Sequence, residues 1–161
     1  VQIKAKHPNI KTISVTSAEE MYNAANAEFD SSDICILCAA VADFRPETQA
    51  DEKIKREKDD LVIRLKPTQD IAASLGAKKR KDQIMVGFAL ETNNEAENAQ
   101  GKLKRKNLDF IVLNSLKDAN ACFGYDTNKI TIIEKDGETK AFELKSKTEV
   151  AKDIIDNICK A

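Results

Sequence analysis

The chain has 161 residues, which is enough for one domain with a real hydrophobic core. Charged residues make up 33% of it but nearly cancel to a formal net charge of -1, which argues against a nucleic-acid-binding protein. No apolar run approaches the length that spans a bilayer and no signal-like start is present, so we expect a cytoplasmic protein without a membrane partner.

Hydrophobic periodicity and turn residues predict strands and helices that alternate along the chain. The predicted strands cover 11–15, 34–39, 53–56, 61–65, 84–89, 110–113, 129–133 and 140–144. The predicted helices cover 17–29, 70–79, 94–106 and 148–160. This alternation favours an α/β fold with three layers and a mostly parallel, Rossmann-like sheet that has an antiparallel hairpin at one edge.

Two local signals support particular elements. Ser17 and Glu20 have the spacing of a capping box, which predicts the start of a helix. Asp136 and Gly137 lie between two apolar runs and predict the tight turn of a β-hairpin.

The segment 34–44 is the most informative stretch of the sequence. An unbroken apolar run ends on small alanines, and Asp43 and Phe44 follow. An apolar run that does not alternate with polar residues is typical of a strand covered on both faces, so we expect a central parallel strand. Ligands of open α/β sheets bind at the carboxyl ends of such strands, where Asp43 offers an acceptor. An ordinary buried strand that leads into a solvated loop has the same pattern.

Two later segments also combine small, aromatic and charged residues near strand ends. In 85–94, Gly87 permits close approach of a ligand, and Phe88 is suited to cover a base or ribose. In 102–109, Lys102 and Lys106 are four residues apart, so they share one helix face and suit a polyphosphate. Cations in a last helical turn also stabilise the helix dipole without any ligand, so this cluster has a purely structural interpretation too.

The cysteine and histidine residues predict no metal centre. Cys35 and Cys38 are three positions apart in a predicted strand, so they point to opposite faces and cannot chelate one ion there. Cys122 and Cys159 stand alone, and we expect all four cysteines to be reduced and mostly in the core. His7 is the single histidine, which argues against a zinc site or a histidine-dependent triad.

Five motifs follow one another along the chain: A-A-V-A-D-F, E-K-I-K, L-K-P-x-x-D-I, V-G-F-A-x-E-T-N and K-x-x-R-K-N-L-D-x-I-V-x-N. Together they resemble bacterial phosphopantothenoylcysteine synthetase. Each motif alone is weak evidence, but their common order and spacing are specific, and the resemblance runs from about Thr16 to the C-terminus.

The resemblance implies a CTP-dependent ligase of coenzyme A biosynthesis. In this family the carboxylate of phosphopantothenate attacks CTP to give an acyl-cytidylate, and the cysteine amine then forms the amide. Attack of a carboxylate on a triphosphate brings like charges together, so the site needs cations rather than a nucleophilic side chain. Mg²⁺ carried by the CTP phosphates supplies part of that charge, and no protein metal ligand is implied.

The resemblance also assigns roles to residues. Lys53 in E-K-I-K is the implied catalytic residue, although a solvated lysine on a hairpin edge has the same sequence pattern. Lys102 and Lys106 are expected to close over the phosphates as a lid hinged at Gly101. The implied nucleotide-binding positions are Asp43, Gln69, Asp70, Ile71, Ala72, Phe88, Lys102 and Lys106. The implied substrate-binding positions are Ala39 and Asn114.

This chain departs from the family at two places. Many relatives have Asn-Pro before the acid of the third motif, whereas Thr68 and Gln69 stand here, so contacts at this helix start are expected to differ. The family's first strand and glycine-rich turn are not found before Val1. We therefore expect residues 1–161 to be a single nucleotide-binding ligase domain that lacks those elements and is inactive by itself.

The resemblance further implies partners. Relatives dimerise through protruding strands, so we expect a homodimer through an arm formed by 53–65, in which 53–56 pairs with 61–65 across a turn at 57–60. In bacteria this domain is usually fused to a decarboxylase domain, and the same fusion is expected in the native protein.

Two other classes of function remain open from the sequence. An NAD(P)-dependent oxidoreductase of doubly wound fold would require a glycine-rich fingerprint, which is absent among the five glycines. A non-catalytic nucleotide-binding or assembly fragment is the other alternative, because the basic and hairpin segments could form a subunit interface.

Overall fold

The computed structural model describes residues 5, 7–56, 60–91, 93–115, 121 and 124–160. The helices within these residues are α1 (Ala18–Phe29), α2 (Ile71–Lys78), α3 (Glu95–Arg105) and α4 (Lys147–Ile158). The strands are β1 (Ile34–Leu37), β2 (Phe44–Pro46), β3 (Leu65–Pro67), β4 (Ile84–Glu91), β5 (Phe110–Ser115), β6 (Thr127–Asn128), β7 (Ile130–Glu134), β8 (Thr139–Ala141) and β9 (Lys145–Ser146).

The chain packs as two compact units. The first unit comprises Val1–Asp30 and Ala40–Ile71, and the second comprises Ser31–Ala39 and Ala72–Ala161. The first unit contains α1 and the small antiparallel sheet of β2 and β3. The second unit contains the main sheet and the helices that cover it.

The main sheet has five strands in the order β1-β4-β5-β7-β8. Strands β1, β4 and β5 run parallel, and β7 and β8 complete the sheet as an antiparallel hairpin. Gly137 adopts a φ of 97° in the turn of this hairpin, a conformation that strongly favours glycine. The predicted fold class, a mostly parallel sheet with an antiparallel hairpin at one edge, is confirmed.

The core of the second unit lies on both faces of this sheet. Val150, Ile154 and Ile158 of α4 pack against a buried cluster that includes Val86 and Val112 on one face. Successive side chains of a strand point to opposite faces, so Gly87 faces the other side, where Leu108 after α3 lies against it. Helix α3 packs along β4 and β5, with Ala99 and Leu103 buried. Helices therefore cover both faces of the sheet.

The position predicted for the strand at 34–39 is wrong. The structure places β1 at the edge of the sheet, because only one of its edges pairs with a described strand, β4. Ile34 and Ile36 are consequently 46% and 41% exposed. The strand predicted at 11–15 is wrong as well, since this segment is irregular and exposed along most of its length.

The pairing predicted for the arm at 53–65 is also wrong. The proposed turn lies partly outside the described residues, and the described residues of 53–56 and 61–64 belong to no strand. Instead β2 pairs with β3, and flanking backbone bonds from Thr68 N to Asp43 O and from Glu47 N to Arg64 O extend this ladder, each 2.9 Å long. The segment 53–56 is mostly cationic and offers little apolar surface to a partner strand.

Capping side chains begin two of the helices. Ser17 and Glu20 form the predicted capping box at α1, and Ser146 and Glu149 form a second one at α4. In each box the serine hydroxyl accepts a bond from the backbone N–H three residues on, while the glutamate accepts one from the serine N–H. These local interactions explain why both helices begin where they do.

The cysteine prediction is correct in one part and wrong in another. Cys35, Cys38 and Cys159 are free thiols, as expected. Cys35 is half-buried and the other two are exposed, so none of the three lies in the core. Burial raises the pKa of the Cys35 thiol above its ordinary value. Cys122 lies outside the described residues.

Candidate functional site

The carboxyl edge of the main sheet brings together some of the residues of the second unit that the sequence singled out. Because β1, β4 and β5 are parallel, their carboxyl ends at Leu37, Glu91 and Ser115 lie at one edge. Ala39 follows β1 by two residues and is exposed. This edge is where open α/β sheets hold ligands, so it is the candidate site of this unit.

Lys102 is joined to this edge by an ion pair that sequence reasoning missed. The Nζ atom of Lys102 on α3 lies 2.6 Å from Oε1 of Glu91, the last residue of β4. The other carboxylate oxygen of Glu91 accepts a bond of 3.3 Å from Nδ2 of Asn98. Glu91 was part of a quoted motif, but spacing alone did not show that its partner is Lys102.

Asn114 is also at this edge, near the end of β5. Its Oδ1 accepts a 2.7 Å bond from Nδ2 of Asn128, and its Nδ2 donates a 3.5 Å bond to the carbonyl of Ala89. The next residue, Ser115, donates a 2.8 Å bond to Oε1 of Glu95 at the start of α3. The side chain of Asn114 thus links β5 to β4 and to β6 of the small β6–β9 sheet, and its role toward a substrate stays a prediction.

Phe88 lies on the face of the sheet that α4 covers. Its half-buried ring packs against the buried cluster that contains Val86 and Val112. The ring therefore contributes to the hydrophobic core, and its contact with a nucleotide base stays a prediction. Sequence reasoning identified the residue but could not assign its face.

Lys106 lies one helical turn beyond Lys102, at the C-cap of α3. Since α3 leads from the carboxyl edge of β4 back to the start of β5, Lys106 is about 6 Å further from that edge along the helix axis. Gly101 lies inside α3, so the helix continues through the expected hinge. A joint role of the two lysines stays a prediction.

The first unit brings Asp43 next to the start of α2. The hydroxyl of Thr68 donates a 2.6 Å bond to the carbonyl of Ala42, beside the backbone bond from Thr68 N to Asp43 O. Asp43, Gln69 and Asp70 therefore lie on adjoining exposed segments. Thr68 was noted only as a departure from the family pattern, yet it makes this connection.

The remaining predicted residues differ in exposure. Lys53 is exposed on irregular backbone in the first unit. Ile71 is buried and Ala72 half-buried, so their backbone groups rather than their side chains are suited to meet a nucleotide. Their assigned roles stay predictions.

Gln69 borders a shallow polar depression in the first unit. The lining residues are Ala18, Glu19, Arg45, Pro67, Thr68 and Gln69. Arg45 and Glu19 form an ion pair of 3.3 Å across it. Sequence reasoning did not identify Arg45, because its partner is 26 residues away along the chain.

Mg²⁺ carried by the CTP phosphates, the ion that the resemblance implies, stays a prediction. Among the described residues, the one group of carboxylates close enough to share an ion is Glu134, Asp136 and Glu138 in the β7–β8 turn. Nζ of Lys140 lies 2.9 Å from Oε1 of Glu134, so a cation of the protein already neutralises part of the negative charge of this group. Phosphate and water oxygens are sufficient ligands for Mg²⁺, so the predicted ion requires no such cage.

None of the helices in the described part of the chain is long and apolar enough to cross a lipid bilayer.

Comparison with known proteins identifies close relatives of the chain. It is 56% identical over 158 residues to a cysteine/cysteine sulfinic acid decarboxylase from an unknown prokaryotic organism, an alignment that covers 98% of this chain and 44% of that protein. It is 46% identical over 146 residues to the coenzyme A biosynthesis bifunctional protein CoaBC of Bacillus subtilis strain 168, which covers 91% of this chain and 36% of that protein. The chain thus spans less than half the length of these relatives.

A solved structure and a family assignment agree with these relatives. The crystal structure of the C-terminal domain of CoaBC matches with a TM-score of 0.74 and 37% identity, over 94% of this chain and 67% of that one. Residues 1–161 match the family described as the DNA/pantothenate metabolism flavoprotein C-terminal domain. The resemblance read from the five motifs is confirmed, and the chain belongs to the DNA/pantothenate metabolism flavoprotein C-terminal domain family.

Proposed function

We propose that residues 1–161 form a ligase domain that joins phosphopantothenate to cysteine with CTP in coenzyme A biosynthesis. The observation that carries this proposal is the lysine of the fifth motif, whose ammonium Glu91 holds at the carboxyl edge of three parallel strands. A cation at such an edge suits a nucleoside triphosphate. The 46% identity to the coenzyme A biosynthesis protein CoaBC supports the assignment to that pathway, and the choice of substrates rests on the resemblance of the five motifs.

The proposed reaction has two balanced steps. A carboxylate oxygen of phosphopantothenate forms a bond to the α-phosphorus of CTP, and pyrophosphate leaves. The cysteine amine then attacks the acyl carbon of the acyl-cytidylate, loses a proton and forms the amide, while CMP leaves. Both steps gather negative charge on phosphate oxygens, so fixed cations are the groups that accelerate them.

Different residues of the chain have different roles in these two steps. Lys53 stabilises the charge on the reacting phosphate and on the acyl-cytidylate, while Lys102 and Lys106 hold the phosphates. Asp43 and the helix start at 69–72 bind the nucleotide, because the first N–H groups of a helix are free to donate. Ala39 and Asn114 lie toward phosphopantothenate. Mg²⁺ bound to the CTP phosphates supplies further positive charge.

A titration tests the choice of nucleotide. CTP, ATP and NADPH are added separately to the chain in a calorimeter, and CTP is expected to give the largest heat of binding. Heat from NADPH alone would instead favour an oxidoreductase, and no heat from any nucleotide would favour an assembly role.

An activity assay tests the reaction class. Pyrophosphate release is measured with phosphopantothenate, cysteine and CTP, on this chain and on a longer protein that also carries the family's first strand and glycine-rich turn. We expect release that requires all three substrates in the longer protein. Carbon dioxide release from cysteine or cysteine sulfinic acid without a nucleotide would favour the activity in the printed name of the 56% identical relative.

We also propose that the chain forms a homodimer through the segment 53–65, whose described residues expose several apolar side chains. Leu61, Val62 and Ile63 are 64%, 80% and 61% exposed, and Ile54 is 60% exposed. Such a run of apolar side chains is a natural surface for a second copy. Light scattering at micromolar concentration is expected to give the dimer mass, and a monomer mass would contradict the proposal. The native protein is further proposed to carry a fused decarboxylase domain.

A further inference from the structure

We propose that Glu91 is a positioning residue, which holds the ammonium of Lys102 in place for the phosphates of a nucleoside triphosphate. This inference rests on the proposed function, because it assigns a role to a residue of the same site. Glu91 itself need not contact the ligand. It acts through the ion pair of 2.6 Å that joins the end of β4 to α3.

The carboxylate of Glu91 is held at both oxygens by one face of α3. Oε1 pairs with Lys102, and Oε2 accepts the bond from Asn98, four residues earlier on the helix. Asn98 also donates a 3.0 Å bond to the carbonyl of Asn93 in the connection between β4 and α3. Two anchored oxygens leave the carboxylate little freedom to rotate, so the position of the ammonium is defined relative to the sheet edge.

The exposure of the two side chains shows which of them faces outward. The side chain of Glu91 is 14% exposed and that of Lys102 is 37% exposed. The carboxylate therefore lies beneath the ammonium. A lysine ammonium has three N–H donors, so the contact with Glu91 leaves two of them for phosphate oxygens.

A second ion pair in the same unit serves as a comparison, because its position indicates that it only stabilises the fold. Nζ of Lys79 lies 2.7 Å from Asp109, and there the lysine is the buried member, at 6% exposure. The same carboxylate of Asp109 accepts a 2.7 Å bond from the backbone N–H of Met85, so this pair joins the residue that follows α2 to the sheet. Lys102 has the opposite orientation, with its charge toward solvent at the ligand-binding edge. The contrast favours a ligand-directed role for the Glu91 pair.

The test compares CTP dissociation constants by calorimetry for Glu91→Gln, Lys102→Gln and the double variant. Glutamine keeps the size of glutamate but loses the charge that holds the ammonium. Fixing a long side chain saves about 0.5 to 1.5 kcal/mol on binding, so Glu91→Gln should weaken CTP binding about twofold to twelvefold. The double variant should bind CTP no more weakly than Lys102→Gln alone, because Glu91 acts only through Lys102.

Glu97→Gln is the matched control. Glu97 is exposed on the same helix, so its substitution removes an equal charge without touching the Lys102 pair. It should bind CTP within about twofold of the parent. Circular dichroism and thermal unfolding check the fold of each variant. Glu91→Asp, whose carboxylate is one methylene shorter, replaces Glu91→Gln if that variant does not fold, and it should also weaken binding.

Three results would overturn the inference. CTP binding by Glu91→Gln that equals or exceeds that of the parent would show that Glu91 is neutral or competes for Lys102. A double variant whose loss is the sum of the two single losses would show that Glu91 does not act through Lys102. If the parent chain and the longer protein both fail to bind CTP, the proposed function falls and takes this inference with it, a result distinct from the first two.

Discussion

Replacement of Gly76 by alanine should destabilise the second unit, although alanine is the better helix former. Gly76 lies in α2, and a Cβ built on it would overlap the carbonyl oxygen of Lys106 and lie 2.9 Å from the carbonyl carbon. Both atoms belong to the backbone at the end of α3 and cannot move aside as a flexible side chain can. The two helices would therefore have to separate.

Three contributions determine how much Gly76→Ala changes the free energy of unfolding. Overpacking of a close contact costs about 1 to 3 kcal/mol. Separation also weakens the 2.9 Å hydrogen bond from Nδ2 of Asn107 to the carbonyl of Gly76, which is worth about 1 kcal/mol. The higher helix propensity of alanine stabilises α2 by about 1 kcal/mol and so offsets part of this loss. The net loss in the free energy of unfolding is about 2 kcal/mol, which lowers the melting temperature of a chain of this size by about 4 to 8 °C.

Gly101→Ala is the matched control for this substitution. Gly101 lies inside α3, and a Cβ built there meets no atom within 4 Å. The same change should therefore raise the free energy of unfolding by up to about 1 kcal/mol through helix propensity alone. Thermal unfolding followed by circular dichroism measures both variants. A Gly76→Ala variant as stable as the parent would refute the close approach of α2 to the end of α3.

Three further substitutions test other parts of the molecule. Lys53→Gln should slow pyrophosphate release in the longer protein about a hundredfold to a thousandfold without changing the circular dichroism spectrum, and a rate close to that of the parent would remove Lys53 from the site. Lys79→Met should lower the free energy of unfolding by about 3 kcal/mol in urea titrations, because it leaves the Asp109 carboxylate without its cation, and a loss below about 1 kcal/mol would contradict this. The hydroxyl of Ser146, followed by its backbone N–H, holds the pKa of Glu149 below the ordinary value of 4.5, so this stabilisation is fully present above that pH and is lost as the pH falls through the lowered pKa. The melting temperature of Glu149→Gln should accordingly lie below that of the parent at pH 7 and converge with it in acid, whereas a gap that persists in acid would argue against a charge effect.

Elements that depend on neighbouring residues in the chain were predictable from the sequence. The helix start at Ser17 follows from a glutamate three residues later, and the β7–β8 turn follows from Asp136 and Gly137. The apolar run of β4 and the five motifs likewise lie within short windows. Such elements can be predicted from a short stretch of sequence, because the groups that interact to form them are only a few residues apart.

The candidate site was predictable in its residue types but not in its pairings. Lys102 was singled out from its spacing to Lys106, yet the structure pairs it with Glu91, 11 residues earlier. Phe88 was singled out as a cover for a base, yet its ring packs toward α4. Residue identity shows which chemistry is available, whereas the face of a strand and the partner of a charge depend on which elements pack together.

Tertiary structure alone decided the neighbours of each strand. The apolar run at 34–39 predicted a central strand, but its exposure depends on whether a strand pairs with its second edge, and β1 lies at the edge of the described sheet. Likewise Leu65 pairs with Pro46 rather than within 53–65, which no local pattern indicated. The sequence by itself thus determined the local elements, the family and the residues available for chemistry. Strand neighbours and side-chain partners required the fold, because they arise from contacts between residues far apart in the chain.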